Sequence, residues 1–283
     1  MKKIILPTDF SENATNAVNY AQGLFATTAC TFYLLNTYTP MIYNYDYQLN
    51  SGGYMGEVLD VVKDNSKQKL EELKQKLQTK YNNPKHQFEL ISSFNLLTDE
   101  LNEIIAKYNI DLIIMGTKGA SGVKEILFGS NTIHVIKKMK CPVLAVPDGY
   151  FFEKPKDILF PTDYKVDYSN EHINILKSIT KEHQSNVHTL HVSAGRDLNE
   201  EESKNKNTLD KLLSNINNTF YTVKDQEIPL AINEFQKSIY IHLLVMIQNK
   251  HTFLENLFFK KVINQIGFHL TIPFLVIPSK VLK

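Results

Sequence analysis

The chain has 283 residues, a formal net charge of +1 at pH 7, 43% hydrophobic residues and 22% charged residues. The length predicts about two domains, and the near-neutral charge gives no electrostatic reason to expect nucleic acid or an anionic membrane as a partner. Cys30 and Cys141 lie in different predicted elements and form no C-x-x-C pair, which favours a reducing compartment. The apolar run from Ile239 to Ile247 is interrupted by His242 and is too short to span a bilayer. We therefore expect a cytoplasmic protein.

The first half of the chain predicts five strands that alternate with helices. A short apolar strand, Lys3–Leu6, ends at Pro7-Thr8-Asp9, too early for the apolar region of a signal peptide. Further strands are predicted at 31–37, 86–92, 112–115 and 143–146, and helices at 11–24, 58–81, 98–108 and from Gly129-Ser130 onward. Residues 38–56, rich in Tyr, Asn and Gly, predict a long loop, whose role as a lid or as a partner surface stays open. Apolar strands alternating with helices predict an open parallel sheet covered on both faces.

The second half repeats short strings of the first half in the same order. The matched pairs are 159–164 with 5–10 (LFPTDY and ILPTDF), 189–192 with 34–37, 243–246 with 112–115, and 272–278 with 141–147. Recurrence of several strings in one order is the signature of an internal repeat. We therefore predict a duplicated domain, with units at residues 1–148 and 156–283.

A glycine pattern lies between the last two predicted strands of the first half. Gly116, Gly119, Gly129 and Ser130 follow the spacing Gly-x2-Gly-x9-Gly-Ser. Glycines allow main-chain N–H groups to approach a phosphate closely, and a helix N-terminus offers unpaired donors with partial positive charge. Ser130 can add a hydroxyl donor and cap the helix. The pattern predicts a phosphate site.

The second half lacks these glycines. The matching positions carry the larger residues Ile247, Lys250, Phe253 and Lys260-Lys261. Such side chains would fill the space that a phosphate needs and disfavour a left-handed backbone turn. We therefore expect one ligand site, in the first half.

Together these strings resemble the universal stress protein family, in a tandem two-domain form. The resemblance implies an α/β fold with doubly wound, parallel five-stranded sheets in the order 3-2-1-4-5. It implies that ATP, with or without Mg²⁺, binds at the carboxyl ends of strands 1 and 4, where the winding direction changes. It also implies self-pairing through the last strand, which two tandem halves can make internally as an intrachain pseudo-dimer. Whether two chains also form a homodimer stays open.

The resemblance also implies a role for each matching residue. Asp9 would hold the ribose hydroxyls, with Pro7 and Thr8 shaping that wall; alternatively, Asp9 caps the first helix. Thr37 would offer its backbone to adenine, and Met115 would pack near the base. The phosphates would be held by Gly116, Gly119, Gly129, Ser130 and Asn131. Lys118, between the glycines, either reaches a phosphate or is a solvated loop lysine.

Three hypotheses of function follow from the sequence. The leading one is an ATP-binding stress-response protein with one nucleotide in the first half and a second half for assembly or signalling. The alternatives are a nucleotide-independent interaction scaffold and a slow ATP hydrolase that uses Asp9 and a metal. Because the chain has no Walker lysine motif and no paired carboxylates, we expect slow hydrolysis at most. His188 and His191 fall on opposite faces of a predicted strand, so with His183 they predict no shared metal ion.

Overall fold

The computed structural model describes residues 1–39, 54–117, 129–193, 195–224, 226, 228–248 and 271–280. The elements of the first half are β1 (Lys2–Pro7), α1 (Glu12–Leu24), β2 (Cys30–Thr37), α2 (Tyr54–Tyr81), β3 (His86–Ser93), α3 (Leu97–Tyr108), β4 (Leu112–Gly116), α4 (Ser130–Lys138) and β5 (Val143–Val146). Those of the second half are β6 (Asp157–Thr162), α5 (Asn170–His183), β7 (Asn186–Ser193), α6 (Glu200–Leu213), β8 (Asn218–Lys224), α7 (Ile228–Ser238), β9 (Leu243–Gln248) and β10 (Phe274–Pro278). In the first half, strands and helices alternate as predicted.

The strands of the described residues form one sheet of ten strands, in the order β3-β2-β1-β4-β5-β10-β9-β6-β7-β8. Each half therefore has the order 3-2-1-4-5, and neighbouring strands within a half are parallel. The halves meet where β5 and β10 pair antiparallel, with Leu144 opposite Leu275 in the middle of the register. The predicted fold class is confirmed, and the two predicted sheets join through their last strands.

The sheet is buried on both faces because helices cover both sides. Successive residues of β1 show this: Ile4 and Leu6 pack in one apolar cluster, and Ile5 packs in the other. Successive side chains of a strand point to opposite faces, so a strand buried on both faces needs an unbroken apolar run. The polar ends of such strands are then the positions where side chains can meet a ligand.

Helix ends also connect the two halves. The carboxylate of Glu182 at the end of α5 accepts hydrogen bonds from the Thr27 backbone N–H at 2.9 Å and from the hydroxyls of Thr27 and Thr28 at 2.7 and 2.6 Å. His183 Nε2 is 2.8 Å from the Leu24 carbonyl oxygen, to which it donates. These bonds hold the C-terminal end of α1 against α5, beside the antiparallel seam.

The start of α2 shows the largest difference from its prediction, whereas the other predicted boundaries of the first half lie within about one residue of the observed ones. α2 begins at Tyr54, four residues before the predicted start at Val58. The prediction missed this first turn because its residues show no apolar period that would indicate a helix. Residues 40–53 of the predicted loop, and the glycine loop at 118–128, lie outside the described residues. Among the helices that the structure describes, none combines the length and the hydropathy needed to cross a bilayer.

Candidate functional site

A cavity of about 320 Å³ lies at the carboxyl ends of β1, β2 and β4. β1 pairs with β2 on one side and with β4 on the other, so the chain connections leave this point in opposite directions. Such a switch point leaves a crevice outside the strand ends, and it is the usual ligand position in open α/β sheets. The cavity is lined by Pro7, Thr8, Asp9, Ala14, Leu35, Thr37, Leu97, Met115, Gly116, Gly129, Ser130, Asn131 and Thr132.

All but two of the residues that the sequence proposed for ligand binding line this cavity. Lys118 and Gly119, the remaining two, lie outside the described residues. The residues that sequence reasoning missed are Ala14, Leu35, Leu97 and Thr132. Three of these residues have apolar side chains without a polar group, and Thr132 belongs to no sequence motif. They are recognised as lining residues only because α1, β2, α3 and α4 pack around the same cavity. Ligand binding by these residues stays a prediction.

The wall after β1 is a tight turn that is held by side-chain oxygens. Phe10 has a φ of 64°, and its N–H donates to Thr8 Oγ1 at 3.0 Å. The Asp9 Oδ1 atom accepts from the Ser11 N–H at 3.0 Å, and Ser11 Oγ in turn accepts from the Ala14 N–H at 3.2 Å. Ser11 is therefore the N-cap of α1, and Asp9 shapes the turn that precedes it. This turn places the Asp9 carboxylate at the wall of the cavity.

A buried polar chain supports the same wall from behind. Asn36 Nδ2 donates to the Thr8 carbonyl oxygen at 2.7 Å, and Asn36 Oδ1 accepts from Ser66 Oγ at 2.8 Å. Ser92 Oγ donates to Ser66 Oγ at 2.8 Å. These bonds tie the end of β1 to β2, α2 and β3, so Asn36 positions the wall. The one signal in the sequence was an amide inside the otherwise apolar strand β2.

Gly116 lets α1 approach the end of β4 closely. A Cβ atom at this position would lie 2.0 Å from Asn13 Oδ1, 2.7 Å from Asn13 Cγ and 3.0 Å from the Asn13 carbonyl oxygen. The Gly116 carbonyl oxygen accepts from Thr132 Oγ1 at 2.9 Å, which fixes the start of α4 beside it. An alanine here would force the Asn13 side chain to move and would lie in tight contact with the Asn13 carbonyl oxygen, so the first glycine of the pattern has a packing reason as well as its proposed ligand role.

The N-terminus of α4 offers unpaired donors to the cavity. Gly129, with ψ 155°, is the N-cap, and within this fully described helix no side chain caps the end and no acidic residue lies in the first turn. The backbone N–H groups of Ser130, Asn131 and Thr132 therefore have no acceptors within the helix. Together with the positive end of the helix dipole, they form a favourable position for an anion. The expectation that Ser130 caps α4 is wrong, because Ser130 is already the first helical residue.

Two other helices, α1 and α6, have side-chain caps and acidic residues at their N-termini. α1 has Ser11 as its cap and Glu12 in its first turn. α6 has the Asn199 side chain as its cap, and Glu202 returns a hydrogen bond to the Asn199 backbone. The Arg196 guanidinium donates two hydrogen bonds to the Glu202 carboxylate. These bonds are the first of several causes that lower the pKa of Glu202 to about 2. An N-terminus with neither a side-chain cap nor an acidic residue in its first turn therefore distinguishes α4 from α1 and α6.

The equivalent position in the second half is almost closed. It is lined by Phe160, Pro161, Thr162, Asp163, Val166, Tyr168, Leu190, Val192, Met246 and Ile247, and its cavity measures about 30 Å³. Ile247 stands at the position of Gly116, as predicted, whereas the other predicted blocking residues, at 250, 253, 260 and 261, lie outside the described residues. Val166 and Tyr168, which the sequence did not single out, fill the space. The two cavities therefore differ in size, and Val166 and Tyr168 line the smaller one together with the predicted Ile247.

His183, His188 and His191 each have a separate hydrogen-bond partner. His188 Nε2 lies 2.9 Å from Asp157 Oδ1, and His191 Nδ1 donates to the Thr162 carbonyl oxygen at 3.0 Å. His183 has its bond to the first half. Among the described residues no group of three His, Cys, Asp or Glu side chains could hold a metal ion. That these three histidines share no ion stays a prediction.

Comparisons with known proteins agree with this architecture. A sequence profile described as the universal stress protein family matches residues 1–147. A universal stress protein of Methanocaldococcus jannaschii is 30% identical over 156 residues, which cover 51% of this chain and 94% of that protein. A second one from this organism is 31% identical over 159 residues, covering 55% and 84%. A universal stress protein structure from Archaeoglobus fulgidus matches 98% of both chains with a TM-score of 0.67 and 18% identity, which supports the fold alone.

Proposed function

The chain belongs to the universal stress protein family, and on that premise we propose that it is a cytoplasmic stress-response protein that binds one ATP molecule in its first half. One observation carries the proposal: the open N-terminus of α4 and the carboxylate of Asp9 line the same cavity. A nucleotide needs both an anion position and an acceptor for its ribose hydroxyls. Lys118 and Gly119 would complete the phosphate side.

The cavity suits a nucleotide in its distribution of polar and apolar groups. Leu35, Leu97 and Met115 supply an apolar surface for the base, and the backbone after β2 at Thr37 supplies hydrogen-bonding groups. Asp9 lies on the wall between this surface and the phosphate end. The volume of about 320 Å³ falls in the range of about 300–1,000 Å³ that is usual for small-molecule sites.

We propose binding with slow hydrolysis at most. Asp9 is the one carboxylate among the described residues that line the cavity, and its Oδ1 atom is engaged by the Ser11 N–H. Mg²⁺ is commonly held by substrate phosphates with one or two carboxylates, so Asp9 could ligand an ion brought by ATP. The described lining residues include no second carboxylate that could act as a general base.

We propose that the second half serves assembly or signalling. Its last strand, β10, pairs with β5 and so occupies the edge through which the family resemblance implies self-pairing. The proposed units remain residues 1–148 and 156–283, since β5 ends at Val146 and β6 begins at Asp157. The pairing inside one chain would then replace a dimer of two chains.

Calorimetric titration with ATP tests the nucleotide site, and the chain offers a matched control. Asp9 and Asp163 make the same turn, each accepting a backbone N–H at 3.0 Å, but only Asp9 lines the large cavity. We expect one ATP per chain and a roughly five- to tenfold weaker affinity for Asp9→Asn, because a charged acceptor becomes neutral. Asp163→Asn should bind ATP as wild type does.

The alternatives have distinct outcomes. A protein that is purified without nucleotide and that gives no heat with ATP is a scaffold, and the proposal is then wrong. Equal loss of affinity in both variants would show that the turn, and not a ribose contact, is responsible. Phosphate release that depends on Mg²⁺ and disappears in Asp9→Asn would identify the slow hydrolase instead.

A further inference from the structure

Four extra residues enter the second cleft. In the first half, Phe10 is followed directly by the cap residue Ser11, whereas Tyr164 and the corresponding Ser169 are separated by residues 165–168. The flanking positions correspond, because Phe10 and Tyr164 have φ angles of 64° and 56°, and Ser11 and Ser169 are the N-cap residues of the helices that follow. The insertion therefore lies between two otherwise equivalent backbone positions.

The insertion carries two apolar side chains into the cleft. Val166 and Tyr168 are 7% and 5% exposed, and both line the remaining cavity. The Tyr168 hydroxyl forms a hydrogen bond with Thr162 Oγ1, and Thr162 matches Thr8 in the wall of the open cavity. Tyr168 thus lines the second cleft beside Thr162, and the connection in the first half has no counterpart of this residue.

The second cleft retains a carboxylate with an unsatisfied oxygen atom, which is unusual in a packed core. Asp163 is retained at the position of Asp9, and its Oδ2 atom is buried without a hydrogen-bond partner among the described residues. Buried polar atoms in native structures nearly always have partners, so an acceptor of this kind is unexpected in a cleft that evolved only to be packed. It is the acceptor that a bound molecule would satisfy.

We infer that the ring of Tyr168 is a built-in ligand of the second cleft, which is a latent site for a small planar aromatic molecule. The inference goes beyond the nucleotide proposed for the first half and does not depend on it. The second half is then filled and ordered without any added molecule. Occupancy of the first cleft alone can vary with ligand concentration.

Chemical rescue with p-cresol, the side chain of tyrosine as a free molecule, tests the inference. Tyr168→Ala should lower the melting temperature by roughly 5–15 °C, because a large buried side chain leaves a cavity. Added p-cresol should raise the melting temperature of this variant in a saturable manner and recover about half of the loss at a hundred times its Kd. The wild-type protein should show no such rise.

Two further variants make the result decisive. Tyr168→Phe keeps the ring and removes the hydroxyl, so it should resemble wild type in its indifference to p-cresol. If Tyr168→Ala does not fold, deletion of residues 165–168 gives the second half the same connection as the first and should produce the p-cresol response. The inference is wrong if neither the alanine variant nor the deletion binds p-cresol, or if Tyr168→Phe binds it equally well.

Discussion

A carboxylate at the start of α4 should weaken nucleotide binding and at the same time stabilise the fold. Ser130 is exposed, lines the large cavity and is the first residue of a helix that has no side-chain cap. Ser130→Asp adds a negative charge where the phosphates are proposed to lie. The same charge stabilises the helix by roughly 0.3–1 kcal/mol through the dipole. Affinity and stability should therefore change in opposite directions.

The size of the effect follows from the distances at a helix N-terminus. Two unit charges 4 Å apart repel by about 1 kcal/mol in bulk water and by about 4 kcal/mol at an effective dielectric constant of 20. Because Ser130 is exposed, the value lies toward the lower end, but more than one phosphate charge is nearby. We expect a loss of about 2 kcal/mol, or roughly a 30-fold weaker affinity for ATP.

The matched control is Ser130→Asn, which has nearly the same shape without the charge. Calorimetric titration of both variants with ATP gives the affinities, and urea denaturation gives the free energies of unfolding. The difference between Asp and Asn should shrink at 0.5 M salt, because the Debye length is then only about 4 Å. If Ser130→Asp binds ATP as tightly as Ser130→Asn does at low salt, the phosphates do not lie at α4 and the reasoning is refuted.

Two further predictions concern stability. Gly116→Ala should lower the free energy of unfolding, measured by urea denaturation, by about 1–3 kcal/mol through overpacking against Asn13. Asn13→Ala in the same chain should recover part of this loss. If the effects of the two substitutions are simply additive, the close contact between residue 116 and Asn13 is contradicted. Burial lowers the pKa of His183 below its model-compound value of 6.5, although the bond to Leu24 opposes this. As the pH falls, His183 therefore takes up a proton in the unfolded chain before it does so in the folded chain, and the free energy of unfolding decreases below pH 6.5. His183→Gln should reduce the pH dependence of the urea midpoint in this range. An unchanged slope in that variant would show that other groups carry the dependence.

The sequence alone determined the elements and their order. Apolar runs and helical spacing predicted each strand of the first half, and the repeated ILPTDF and LFPTDY strings predicted a second half of the same design. The glycine spacing predicted Gly116, Gly129 and Ser130 in the cavity wall, and the family resemblance implied six more lining residues, namely Pro7, Thr8, Asp9, Thr37, Met115 and Asn131. These features are local, because a strand, a turn or a helix start depends mainly on residues that are close in the chain.

Only the tertiary structure decided how the two clefts differ. Nothing in the residues 165–168 indicates that Tyr168 turns into the second cleft, since the same string would also suit an exposed loop. The support of the wall by Asn36, Ser66 and Ser92 likewise joins three elements that are far apart in the chain. Packing between distant elements selects which side chains meet, and a local pattern carries no information about the shape of the space that the rest of the chain leaves open.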